Sequence, residues 1–258
     1  GKPEIYLAEG TYDVGKQLTV IAPLALIGQG TVNVNGAFIL SGEVGTFKVS
    51  NLNFTDAEGA GCFITLPEDG VTATEVVVEN TVLDGYSKSV IYGNYDTANI
   101  DRLVFDGVQT KNWGTGQGVF DFRKGTYGSV IIRNSTITGG RDFIRLDANC
   151  NTGEVLIMHN TFDAVNNGVN GNGFFYVRKE VPTYKVIGNL FLNQTSESNN
   201  TLSKTSGVQV PYMAKNFYYN CVEAFFSGLI TKEIATGNNG VILETDPVKD
   251  SANGDYTL

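Results

Sequence analysis

A chain of 258 residues with 41% hydrophobic content can bury a long core, yet only 17% of its residues are charged and its net charge is -9. That balance argues against a nucleic-acid partner, whose affinity rests on neutralising phosphates with Lys and Arg. Cys62, Cys150 and Cys221 form no CxxC pair and indicate neither a zinc cluster nor a disulfide framework, and no run approaches the roughly eighteen apolar residues of a membrane span.

The chain reads as a strand from its first residues, 4–7, and no amphipathic helix precedes them to cap a stack. Gly1 is therefore read as an expression scar, and an upstream part with an export signal as cut away. From there one short phrase recurs, a β-rich run followed by Asn or Asp. Its copies centre on Asn51, Asn80, Asp106, Asn134, Asn160, Asn189 and Asn220, at spacings of 29, 26, 28, 26, 29 and 31 residues. Such a period marks stacked supersecondary units that cannot bury their apolar faces singly. The runs between the copies, at 75–78, 103–105, 129–132, 155–158 and 185–187, are short and rich in β-branched residues, without helical periodicity. The prediction is an all-β, single-stranded parallel β-helix over residues 1–258. About nine coils at about 4.8 Å each give a rod roughly 40 Å long, and a monomer is expected. The recurring Asn is predicted to stack at one turn, each amide donating to the next coil and accepting from the previous one, an internal Asn ladder.

Trp113 lies in the Gly-rich turn Asn112-Trp113-Gly114-Thr115-Gly116, either as a sugar-stacking platform or as a cover for the core edge. Three consecutive coils then carry a second phrase: Phe120-Asp121-Phe122-Arg123-Lys124, Asp142-Phe143-Ile144-Arg145-Leu146-Asp147 and Phe175-Tyr176-Val177-Arg178-Lys179. With the arginines aligned and side chains alternating across a strand, Phe122, Ile144 and Val177 point inward. Arg123, Arg145 and Arg178 then form an outer column with Asp121, Phe143 and Tyr176. Guanidinium forks match carboxylate or sulfate geometry, aromatic faces pack on sugar rings, and Lys124 and Lys179 add charge at the margin. Three guanidinium groups about 5 Å apart repel by about 0.8 kcal/mol per neighbouring pair in bulk water, so they need anions. An acidic ligand supplies them, or else Asp121, Asp142, Asp147 and Glu180 do so as an internal ion-pair ladder. Asp142 is turned inward by this register, which spoils a two-carboxylate hydrolase pair with Asp121. The run Asp147-Ala148-Asn149-Cys150-Asn151-Thr152-Gly153-Glu154 spaces oxygens as calcium loops do but lacks their Gly and final acid. His159, the single histidine, occupies a solvent-facing slot on another strand row. Polar tracts at 166–173 and 194–206 read as loop excursions forming groove walls.

The opening Ile5-Tyr6-Leu7-Ala8-Glu9-Gly10-Thr11-Tyr12, with Leu18-Thr19-Val20 and Leu24-Ala25-Leu26-Ile27-Gly28-Gln29-Gly30, resembles the first coils of pectin-lyase-like right-handed parallel β-helices. The stretch from Asp246-Pro247 to Asn253-Gly254-Asp255-Tyr256-Thr257-Leu258 resembles the close of bacterial surface proteins related to chondroitinase B and alginate lyases. The resemblance implies a secreted or outer-surface protein acting on polysaccharide, by β-elimination on uronic acids in many relatives and with calcium in some. The catalytic Lys and Arg and the calcium carboxylates of those lyases find no residue-by-residue match here. For a lyase, Arg145 is the neutraliser or base, Lys179 an alternative base and Tyr176 the acid, while Arg123, Arg178, Asp121, Phe143, Lys124 and Trp113 bind substrate. The alternative is a non-catalytic glycan-binding or scaffold module, since this fold hosts many activities. No cofactor is evident, with calcium the one cation to consider.

Overall fold

The β-branched runs at 76–78, 103–105, 130–132 and 155–157 lie directly over one another. Val78, Phe105, Ile132, Ile157 and Val186 form one unbroken column in register across five coils. The computed structural model of the protein, which describes residues 3–166, 173–195, 201–204 and 206–257, is a parallel β-solenoid. Its strands fall into three stacks. The first runs from Glu4–Leu7 through Leu24–Gly28, Gly42–Ser50, Val71–Glu79 and Ala98–Asp106 to Tyr212–Ala214. The second holds ten strands, from Gly10–Asp13 to Val241–Leu243. The third comprises Leu18–Val20, Phe38–Leu40, Ile64–Leu66, Ile91–Gly93 and Phe175–Val177. Two long strands, Phe120–Arg133 and Ile144–Met158, cross the corner between the third and first stacks without a break and join them into one sheet of fourteen strands.

The core runs along the axis. Phe38, Ile64, Ile91, Phe120, Ile144 and Phe175 stack inward from the third stack. Phe162, Phe191 and Tyr218 stack from the second, the last two rings lying 5.0 Å apart and nearly parallel. The first stack is apolar on both faces. Outside, Val77, Val104, Ile131 and Leu156 make a second aliphatic stripe, flanked by the ion pairs Lys48–Glu79, Glu75–Arg102 and Asp106–Arg133. That explains why these runs are continuous rather than alternating.

The asparagine ladder is real but shorter than the repeat implies. At the corner between the first and second stacks each coil needs one residue at positive φ, held by Asn51, Asn80, Gly107, Asn134, His159, Gly188 and Lys215. Asn and Gly tolerate that left-handed conformation best. The following residue points inward, and there Asn160, Asn189 and Asn216 are buried. The Asn160 amide nitrogen donates to Asn189 Oδ1 at 3.0 Å, and that of Asn189 to Asn216 Oδ1 at 3.1 Å. Each Oδ1 also accepts the backbone N–H of the rung before it. Ser135 ends the ladder by accepting the Val108 N–H. The seven repeat copies thus occupy four kinds of position. Asn51, Asn80 and Asn134 hold the left-handed corner, Asp106 precedes it, Asn160 and Asn189 are rungs, and Asn220 belongs to the next turn with Asn112 and Asn193.

A single α-helix among the described residues, Lys232–Thr236, is capped by Thr231 Oγ1 and buries Ala235 against Tyr218, whose hydroxyl donates to the Ala235 carbonyl. Beyond the last strand the chain turns back as a strap over the outer face of the second stack. Tyr256 donates to Asp163 at 2.6 Å and Asn193 to Ser251 at 3.3 Å.

Candidate functional site on the third stack

The outward column of the third stack reads Thr65, Tyr92, Asp121, Arg145, Tyr176. Arg145 is therefore level with Asp121 and Tyr176, not with Arg123 and Arg178, and the single column of three arginines is replaced by two staggered ones. The register of the buried Phe120, Ile144 and Phe175 sets this, and a β-bulge follows it. Phe122 pairs with Leu146 but Lys124 with Asn149, so Asp147 and Ala148 face Arg123 alone, and the extra residue re-aims its neighbours as bulges do. All three arginines still share one face, but each is held by a carboxylate.

Asp121, fully buried, accepts a fork from Arg123, Nε to Oδ1 and Nη2 to Oδ2, both at 3.0 Å, and Arg145 Nε stands 4.0 Å from the same Oδ1. Asp147 is the second hub, taking Arg145 Nη2 at 2.5 Å and Arg178 Nη1 at 2.6 Å on its two oxygens. The rings alternate with these pairs. Arg123 lies 5.2 Å over Tyr92, and Tyr176 is flanked by Arg145 at 5.3 Å and Arg178 at 5.8 Å, in the geometry of cation–π contacts. The hydrogen-bonded carboxylate of Asp121 raises the Arg123 guanidinium above its ordinary value, against the opposing effect of burial. Burial pushes Asp147 upward, but the bonds and charge of Arg145, the Ala148 N–H and Arg178 outweigh it, and its carboxyl is lowered. The Tyr92 phenol is raised, chiefly by burial.

The lowered Asp147 has a consequence in acid. Its contribution to stability is present above the ordinary value of 3.8 and is lost as pH falls below that through the lowered folded value. Urea unfolding of the protein and of Asp147→Asn should show a constant gap above about pH 5 that narrows on acidification below 3.8. A gap unchanged down to the acid limit would mean that the pairing with Arg145 and Arg178 carries no stability.

Two predicted site residues stand elsewhere. Phe143 is not on the outer face but fully buried, its ring 4.5 Å from Phe162 and 5.5 Å from Phe120. At this corner two successive residues of each coil point inward, Phe63-Ile64, Val90-Ile91, Val119-Phe120, Phe143-Ile144 and Phe174-Phe175, so strict alternation fails there. Trp113 is buried beside Tyr86 and donates to the Lys88 carbonyl at 2.9 Å; it covers the core edge. Asp142 is buried and bonded by Arg141 at 3.2 Å, so it turns inward as the sequence indicated. Lys124 and Lys179 border the face, the first 3.3 Å from Asp96 and the second bonded to Asn151 Oδ1. The oxygen-rich run at 147–154 is part of the strand Ile144–Met158, with Cys150 and Thr152 facing inward. Among the described residues no three of His, Cys, Asp and Glu are grouped as metal ligands. His159 is exposed at its corner, its ring over Gly188, where a Cβ would come within 2.6 Å of Cδ2. Much of the predicted loops 166–173 and 194–206 lies outside the described residues.

Sequence reasoning missed Tyr92, because its coil carries no arginine to align. Counting residues from the buried Ile91, Phe120, Ile144 and Phe175 would have found it. No family model matches the chain, and comparison with curated proteins and solved structures finds no match. Among the described residues no helix is long and apolar enough to cross a membrane. The fold and this face define a parallel β-solenoid with a mixed arginine, tyrosine and aspartate surface.

Proposed function

We propose that the protein is an extracellular polysaccharide-binding β-solenoid, wound right-handed as parallel crossovers are, that takes an acidic glycan along the third stack. One arrangement carries the reading: two tyrosine rings interleaved with three guanidinium groups on a rigid sheet face. Against two aspartates the cluster stays positive by one charge on a chain of -9. Arg178, with 42% of its side chain exposed, presents the accessible fork, and Lys124 and Lys179 extend the charge along the glycan. Binding is favoured over β-elimination because a lyase needs a base and an acid converging on one point. Here both aspartates are engaged by guanidinium groups and both lysines by neighbouring side chains. Arg145, held between Asp147 and Tyr176, suits neutralisation of a uronate carboxylate.

Polygalacturonate, alginate and chondroitin sulfate, titrated separately by calorimetry, test this. At least one should bind, more weakly at higher salt, and Arg178→Ala should weaken it by about tenfold. Failure of all three polymers to bind would overturn the reading. New ultraviolet absorbance from an unsaturated uronide would replace it with a lyase.

A further inference from the structure

The strap leaves a cleft of about 750 Å³ where it ends over the second stack, on a different face from the arginines. Along this outer face the residues change in character. Leu190, Phe217 and Val241 are apolar toward the C-terminal end, while Gln109, Thr136 and Thr161 precede them in adjoining coils. Pro247 and Val248 line a common cleft with Leu190 and Phe217 at the apolar part, where Phe217 and Val241 stay 38% and 41% exposed, so partial shelter of that surface explains the strap as far as Tyr256. It does not explain the polar floor beyond. There Gln109 and Lys111 project from one strand, and Thr136 and Thr138 from the next, Gln109 level with Thr136.

Among the described residues, the side chains of Gln109, Lys111 and Thr136 take part in no hydrogen bond or ion pair within the protein. That separates this cleft from the arginine face, whose charged groups satisfy one another. Its wall is fixed: the Tyr256 hydroxyl is committed to Asp163, which holds the ring at the cleft, and Asp255 is held by Lys249 and Thr257. The strap closes on itself through the backbone pairing of Asp250 with Asp255.

We infer that this cleft is a second binding site and that its ligand is a neutral oligosaccharide. An open amide and an open hydroxyl beside a tyrosine ring offer donors and acceptors to sugar hydroxyls and a face for a pyranose ring. The volume is that of small-ligand clefts. An acidic sugar fits poorly, because the lining has no guanidinium fork, Asp255 on the wall is already paired with Lys249, and Asp84, bonded to the lining Asn112, offsets the ammonium of Lys111.

Calorimetry with cellotetraose, mannotetraose and xylotetraose, and with tetragalacturonate as the acidic counterpart, tests the inference on the full chain. At least one neutral tetrasaccharide should bind. The double variant Gln109→Ala, Thr136→Val should weaken it by about tenfold, the effect of removing two hydrogen bonds. Lys111→Met on the same floor should weaken it less, and Arg178→Ala should leave it unchanged, which keeps this site distinct from the arginine face. The inference is overturned by absence of binding to all three neutral sugars, by binding that survives the double variant, or by a response of the double variant to tetragalacturonate alone.

Discussion

Asn189→Ala is expected to lower the stability of the protein by about 4–6 kcal/mol, while Asn134→Ala costs about 1 kcal/mol and Asn134→Gly almost nothing. The two asparagines hold the same place in the repeated phrase but different places in the coil. Asn189 is wholly buried. Its Oδ1 accepts both the backbone N–H and the side-chain amide of Asn160, and its own amide donates to the Ile157 carbonyl and to Asn216. Alanine there strands a buried N–H, a buried C=O and an interrupted ladder, each worth about 1–3 kcal/mol when left unsatisfied. Asn134 is exposed at φ 51°, and the bond of its side chain, to Asp106, is at the surface. Glycine accepts that φ without strain. Urea unfolding measures the difference, and in a solenoid, where coils contact only their neighbours, the loss should concentrate in the coils carrying Asn160, Asn189 and Asn216. Equal losses at positions 134 and 189 would remove the buried ladder from the account of this fold.

That contrast also marks how far the sequence could be read. The spacing of the phrase revealed a stack of coils, because any stack of like units repeats its turns at a nearly constant interval. It could not separate two selections acting on neighbouring residues. The corner favours Asn or Gly for a backbone reason, positive φ, and the rung favours Asn for a hydrogen-bonding reason, so a one-residue slip at Asn160 or Asn189 leaves the letter unchanged. The arginine face was legible as a surface and misread in register by two residues. Aligning like letters placed Arg145 beside Arg123, whereas the buried Phe120, Ile144 and Phe175 place it beside Asp121, and the bulge at Asp147 and Ala148 has no signature in residue type. Phe143 was lost to the corner, where alternation pauses. The strap was invisible, since nothing local in residues 246–257 tells which of three outer faces they cover.

The second large effect concerns Asp121. Replacing it with Ala should destabilise the protein by about 3–5 kcal/mol, the usual loss when one partner of a buried ion pair is removed and the other stays. Asp121 is the anion between Arg123 and Arg145, fully buried, while the two arginine side chains remain 26% and 17% exposed. Asp121→Asn keeps an acceptor and should lose less. The double variant Asp121→Ala, Arg123→Met should recover most of the loss, because a flexible thioether can lie on the Tyr92 ring where the guanidinium now rests, and Arg145 keeps Asp147. If the double variant is as unstable as the single one, the loss comes from packing rather than from an unpaired charge. The same variant separates the two uses of the arginine face. A recovered fold that no longer binds the acidic polymers assigns Arg123 to the ligand, whereas recovered binding assigns the Asp121–Arg123 pair to the scaffold and leaves recognition to Arg145, Tyr176 and Arg178.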